Sequence, residues 1–258
     1  MLSVFALRRR NFIEASESNQ DISIQVDEKL DRNKMKQTVL LVCLIAIVSV
    51  NQAIAKCSDK RAPGVDWSGC KKTFKRLHKS DFSGSRFDHA NLANSSFDGS
   101  NFDGASLVKS DLTRTSATGT NFYKSDLSKS VGYRANFSKT VIKESNMTKS
   151  EFSRAHFEDA ELVDIDWSKS ELGRVDFSRA RLHRVNFAFS NLSRVKFGDA
   201  KISDVNFKGA YTFLTRFEDV DIRGAINLHQ LHLKLACGNE NTLLPEGLSM
   251  PENWPCKE

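Results

Sequence analysis

No stretch of this 258-residue chain is apolar for long enough to cross a bilayer comfortably; the longest such run, Thr38–Val50, has 13 residues. That length suits instead the apolar segment of a signal peptide. Catalytic signatures are missing too: there is no G-x-S-x-G, phosphate-binding loop, H-E-x-x-H or Ser/His/Asp set, so no enzyme activity is expected. Histidine is sparse, with six in all. His229 and His232 stand three apart, a spacing that could hold a metal, but no third ligand accompanies them, so neither metal nor cofactor is expected. Proline is rarer still, and three of the four lie together at Pro245, Pro251 and Pro255, beside Trp254, which reads as an irregular lid.

What the chain does have is a five-residue beat. From Phe82 to Ile222 there are 29 successive centre positions without an insertion or deletion, and 26 of them are Phe, Leu, Ile, Met or Trp; the exceptions are Ala117, Gly132 and Thr212. The residue two before each centre is always Ala, Ser, Thr, Val or Ile. A period of five fits neither a helix nor a flat strand. Within each unit two inward positions are separated by one outward position, which is a short piece of strand. The other two residues are polar or Gly and must turn the chain. Each unit is therefore one side and one corner, and repetition at a short fixed period means a stacked solenoid.

A second period sets the number of sides. Arg114, Arg134, Arg154, Arg174 and Arg194 recur every 20 residues at one corner, and Lys109, Lys129, Lys149 and Lys169 recur one corner earlier. Phe137, Phe157, Phe177, Phe197 and Phe217 keep the same interval at the centre. Four sides of five residues make a square coil that restacks as parallel ladders, and a little over seven coils at about 4.8 Å each give a rod roughly 35 Å long.

The units SDFSG, ANLAN, SNFDG and AELVD resemble the pentapeptide-repeat family, whose signature is A(D/N)LXX with Leu or Phe at the centre. The resemblance covers Ser80–Gly224 and implies an all-β fold, a right-handed quadrilateral parallel β-helix. Here Ser replaces Ala at many small positions, as a spacer in a narrow coil. Gly132 and Thr212 thin the core, so a local widening or short bulge is expected at each.

A solenoid needs caps. Residues 56–79, with Trp67, supply one, and residues 225–258 the other, with Leu228, Leu231 and Leu235 at helical spacing, Gly238 as a helix stop, and the proline-rich lid after it. Both ends resemble those of exported bacterial members. Residues 35–55 read as a signal peptide, with Lys34 and Lys36 before the apolar run and an A-x-A site that places cleavage between Ala55 and Lys56. Residues 1–34 read as an upstream extension or tail. Export to the periplasm or the medium follows from this reading. Cleavage removes Cys43 and leaves Cys57, Cys70, Cys237 and Cys256. An even count in an exported chain suggests disulfides. The rod separates its ends far beyond the roughly 7 Å reach of a disulfide, which leaves Cys57–Cys70 and Cys237–Cys256.

Function must then lie on the surface. Cleavage would remove seven of the 38 bases and six of the 32 acids, leaving 31 against 26. The imbalance is local. From Ala105 to Arg194, the two sides that carry the Arg and Lys rows hold nine bases against five acids: Asp111, Asp126, Glu151, Asp166 and Glu171. The other two sides, from Thr115 to Asp204, hold eight of each. Like charges one coil apart repel by up to about 1 kcal/mol per pair in water, so such rows are tolerable with or without a ligand. Two readings stay open: a solvated face, or a linear track for a partner such as anionic glycan, lipopolysaccharide, the membrane surface or a protein surface. Nucleic acid fits poorly, because aromatic residues do not interleave with the rows. Members of the family that mimic DNA and bind a type II topoisomerase imply a cytoplasmic, acidic rod, and this chain is basic. The chain is thus expected to be an exported, non-enzymatic rigid binding surface. An enzyme built on the lid and a homodimer through the C-terminal cap are the remaining alternatives.

Overall fold

A computed structural model describes residues 57–256. The upstream segment 1–34, the leader 35–55 and the Ala55–Lys56 cleavage site lie outside the described residues.

Each pentapeptide folds as one side and one corner. In Asp81–Ser85, Asp81 pairs with Asn101 in the next coil, Phe82 is buried, and the Ser85 N–H donates to the Phe82 carbonyl at 3.1 Å to close the turn. The second corner residue has positive φ throughout, at Gly84 (63°) but also at Lys109 (58°), Arg114 (54°) and Asp159 (59°). The outward Asp or Asn before the centre accepts the N–H two residues on: Asp126 from Ser128 at 2.8 Å and Asn146 from Thr148 at 3.1 Å. That local acceptor stabilises a corner the backbone would otherwise adopt reluctantly.

Coils stack in parallel at an interval of 20 residues. One row of paired residues starts at Asp66, passes through Arg86, Ser106, Asp126, Asn146 and Asp166, and continues through Asn186 and Asn206 to Ile226. The best-formed side is a six-stranded parallel sheet of β1 (Asn121–Tyr123), β2 (Val141–Lys143), β3 (Glu161–Asp166), β4 (Arg181–Asn186), β5 (Lys201–Asn206) and β6 (Gly224–Ile226). Inside runs one continuous apolar column. Phe137, Phe157, Phe177, Phe197 and Phe217 follow one another with ring centroids 5.1, 5.5, 5.4 and 5.3 Å apart. Trp167 fills the adjacent side, 5.0 Å from Phe157 and 5.7 Å from Phe177.

Four details depart from the sequence reading. First, coil geometry begins ahead of Ser80, with Val65, Trp67 and Cys70 already at buried inward sites. The beat hides this because Lys72 occupies a centre position. Its ammonium lies 3.7 Å from the centroid of the Trp67 ring and donates to the Cys57 carbonyl at 2.7 Å, so a cation closes the open end.

Second, neither Gly132 nor Thr212 bulges. The ladders run in register on both sides of them, through Val131↔Glu151 and Asn191↔Tyr211. The Phe152 ring occupies the room at Gly132, where a Cβ would sit 2.2 Å from it, and the buried Thr212 hydroxyl donates to the His232 carbonyl at 2.8 Å. The irregularity falls instead between β5 and β6, where the interval changes at Ser203↔Gly224 and Val205↔Ala225. Gly224 approaches the Ile202 carbonyl so closely that a Cβ would lie 2.6 Å from its oxygen.

Third, the C-terminal helix α1 spans Gln230–Leu235, which leaves Leu228 before it. Its buried members are His232 and Leu233, while Leu231 is 67% exposed. The helix ends at Ala236, not at Gly238. Gly238 lies under the Trp254 ring, 2.1 Å from where its Cβ would be, and the Trp254 indole N–H donates to the Ala236 carbonyl at 2.7 Å. This glycine exists for a close approach and not for a helix stop.

Fourth, the inward serines do more than save space. The Ser170 hydroxyl accepts the Ser150 N–H at 3.1 Å and donates to the Met147 carbonyl at 3.1 Å, and the Ser145 hydroxyl likewise reaches the Phe122 carbonyl at 2.6 Å. Each joins its coil to the one before. Ser170→Ala should therefore cost about 1–2 kcal/mol in urea unfolding, because the buried Ser150 N–H loses its partner while the Met147 carbonyl keeps the Ser150 hydroxyl at 2.7 Å. An unchanged midpoint would make the hydroxyl a spacer after all.

Candidate functional site

All nine residues of the two basic rows sit at the second corner position. Their φ angles fall between 54° at Arg114 and 64° at Arg174, so the backbone presents the side chains of each row outward in the same way. All are exposed except Arg154, which is half-buried. The fold thus brings together Lys109, Lys129, Lys149 and Lys169 on one edge and Arg114, Arg134, Arg154, Arg174 and Arg194 on the next.

The two halves of the surface treat their charges differently. On the balanced sides, ion pairs join neighbouring coils: Arg179 grips Asp159 through two bonds of 2.9 Å, Arg184 grips Asp164 at 2.5 and 2.6 Å, and Lys143 meets Glu161 at 2.8 Å. The hydrogen bonds from Arg179 and Arg184 hold the Asp159 and Asp164 carboxyls below the usual range. On the basic sides, none of the nine cations makes an ion pair among the described residues. All of the acids of those sides but Glu151 are engaged elsewhere. Asp111 accepts the Thr113 N–H at 2.9 Å, Asp126 that of Ser128, Asp166 that of Ser168 at 3.0 Å, and Glu171 is bonded to the Asn191 amide at 2.9 Å.

Aromatic rings do accompany the Arg row, contrary to the sequence reading. The Tyr133 ring centroid lies 5.2 Å from the Arg134 guanidinium and 5.9 Å from that of Arg154, and Phe213 lies 5.8 Å from that of Arg194. Tyr133 and Phe213 share the outward position before the Arg corner, four coils apart, so their 20-residue register was the available signal.

The Arg row stops at Leu214, which takes the next corner of the same row. There a cleft of about 470 Å³ opens between Arg174, Arg194, Lys196 and Arg216, with Leu214, Cys237 and Cys256 also lining it. The cysteines lie in two local pairs at bonding distance, with Cα atoms 5.5 Å apart for Cys57–Cys70 and 5.4 Å for Cys237–Cys256. The histidine pair is structural: the His229 N–H donates to His232 Nδ1 at 2.9 Å at the start of α1, and burial keeps the His232 imidazole below its ordinary pKa.

Among curated proteins, no sequence matches the chain. Solved structures do. A trypsin-treated variant of QnrB1, a plasmid-mediated fluoroquinolone resistance protein, superposes with a TM-score of 0.56 at 12% identity, over 70% of this chain and 90% of that one. HetL, a pentapeptide repeat protein involved in heterocyst differentiation regulation from the cyanobacterium Nostoc sp. strain PCC 7120, gives 0.48 at 18% identity, over 72% of this chain and 95% of its own. At such identities the likeness to QnrB1 concerns the fold alone. The sequence profile described as pentapeptide repeats matches residues 76–114, 95–131, 110–148, 150–188 and 170–209, together just over half the chain. A beat, a square coil and a profile thus agree, and the chain belongs to the pentapeptide-repeat family.

Proposed function

We propose that this protein is an exported, non-enzymatic β-solenoid whose paired basic edges form a linear track for an anionic polymer of the cell envelope. One observation carries the reading: nine cations stand in 20-residue register without ion-pair partners among the described residues, while on the other sides Lys124, Lys143, Arg179, Arg184 and Lys196 are each paired with an acid. Guanidinium groups held at a fixed spacing suit carboxylate, sulfate or phosphate in repeat. The two local cysteine pairs favour an oxidising compartment. A rod that imitates DNA would need acids on these edges.

The test uses asparagine, which tolerates positive φ and already occupies the Arg row one coil earlier, at Asn94. Arg114→Asn, Arg134→Asn and Arg154→Asn together should weaken binding to long-chain heparin or lipopolysaccharide roughly tenfold, since each exposed contact contributes about 0.2–1 kcal/mol. The salt dependence should flatten in parallel. Lys139→Asn, Arg181→Gln and Lys201→Gln remove the same charge from the other sides and should have little effect. Equal loss in both variants would reduce the track to net charge.

A further inference from the structure

The cleft where the Arg row ends has features that the row itself lacks. Four cationic side chains converge on it. Two are compensated, Arg216 by Glu218 at 3.0 Å and Lys196 by Asp176 at 3.9 Å, whereas Arg174 and Arg194 make no ion pair among the described residues. The cleft therefore keeps an excess of about two positive charges beside Leu214, Cys237 and Cys256. Next to it stand two outward aromatic rings. Tyr211 and Phe213 flank the buried Thr212, lie nearly parallel at 13° with centroids 6.2 Å apart, and are 50% and 38% exposed. Phe213 also faces the Arg194 guanidinium, which joins the aromatic platform to the cleft.

Two exposed aromatic rings, a pair of uncompensated guanidinium groups and the Leu214 side chain suit one kind of ligand: a sugar ring that carries an anionic substituent. The C–H face of the ring lies against the aromatic surface, and the carboxylate or sulfate receives paired N–H donors from arginine. We infer that the C-terminal cleft is a subsite for the terminal acidic sugar of an anionic glycan. The ligand class rests on the proposed polyanion-binding function; Arg174 and Arg194 are shared with the end of the track, but Tyr211, Phe213, Lys196 and Arg216, which complete the subsite, lie outside it. A long polymer would then be held in two ways: by charge along the rod, and by one shaped contact at its end.

The experiment separates the two. The probe is a heparin-derived disaccharide bearing a carboxylate and sulfate, too short to bridge many coils, followed by backbone amide shifts in NMR. Perturbations should cluster at Arg194–Arg216 and Cys237. Tyr211→Ser with Arg216→Gln should weaken disaccharide binding tenfold or more while long-chain heparin still responds to the Arg114, Arg134 and Arg154 substitutions. That triple track variant should leave disaccharide binding within about twofold, and the desulfated, carboxyl-reduced disaccharide should not bind. Disaccharide affinity unmoved by Tyr211→Ser with Arg216→Gln, shifts scattered along the rod, or equal binding of the neutral disaccharide would each overturn the subsite without touching the track. Loss of long-chain response to the track substitutions alone would overturn the track and leave the subsite in place. An unchanged thermal midpoint confirms that each variant is folded; if the double variant is not, Arg216→Lys, which keeps the charge and loses the fork, should still weaken the disaccharide.

Discussion

Replacing Phe177 by alanine should lower the stability of the solenoid by about 3–5 kcal/mol. The ring is fully buried and stacked between Phe157 at 5.5 Å and Phe197 at 5.4 Å, with Trp167 and Phe187 at 5.7 and 5.8 Å to the side. Nothing near it can collapse into the space, because each of these neighbours is itself fixed by the coil above or below. The location matters as much as the size. In a stacked repeat each coil touches only its neighbours, so a hole in the middle uncouples the two halves of the rod. The same change at Phe82, near the first coils, should fray one end and spare the rest. Urea unfolding combined with amide hydrogen exchange checks both. Phe177→Ala should lower protection on both sides of the defect, and Phe82→Ala only on the N-terminal side. Identical protection patterns would mean that the rod unfolds as one unit and that position along it is irrelevant.

Removing the C-terminal bridge, as Cys237→Ser with Cys256→Ser, should cost about 3 kcal/mol in the chain-entropy account for a loop whose ends are 19 residues apart. The loss should be local. Freed of the bridge, the lid is held by Trp254 over Gly238, its indole bond to Ala236, and the Asn239–Asp219 contact at 3.0 Å. Amides from Cys237 to Trp254 should exchange faster while the central coils keep their protection. The last coil then presents an unpaired ladder edge, so the variant should also associate at high concentration. A lid that stays as protected as before would show that Trp254 alone seats it, and the bridge would be dispensable for closure.

The coil was readable because its signal is made of residues that must be inside. Phe, Leu and Ile recur where the chain points inward, and the 20-residue recurrence of Phe137 to Phe217 counts the sides. Where burial is achieved by other means, the reading failed. Lys72 sits at an inward position and closes the first coils with its alkyl chain and charge, so no apolar count could reveal them. Gly132 looks like a gap in one coil only because the residue that fills it, Phe152, belongs to the next. Helix α1 went out of phase because six residues are too few to establish a period. The basic rows were plain in the sequence, yet their availability was not. That depends on Asp111, Asp126 and Asp166 bonding to their own corners, which only the path of the backbone decides.

The 20-residue stacking interval of the central coils has a consequence for how such a protein can vary. Since lateral bonds join only adjacent coils, the molecule keeps no record of its own length. Twenty residues spliced in at any corner would restore every alignment beyond the splice, whereas one residue would rotate all later side chains to the wrong wall. Each added coil brings one more rung to the charged edges at a pitch of about 4.8 Å, and leaves both lids as they were. The rod is in this sense a ruler with identical graduations. Its avidity for a long flexible polymer would rise with the number of rungs engaged, without any single rung having to bind more tightly.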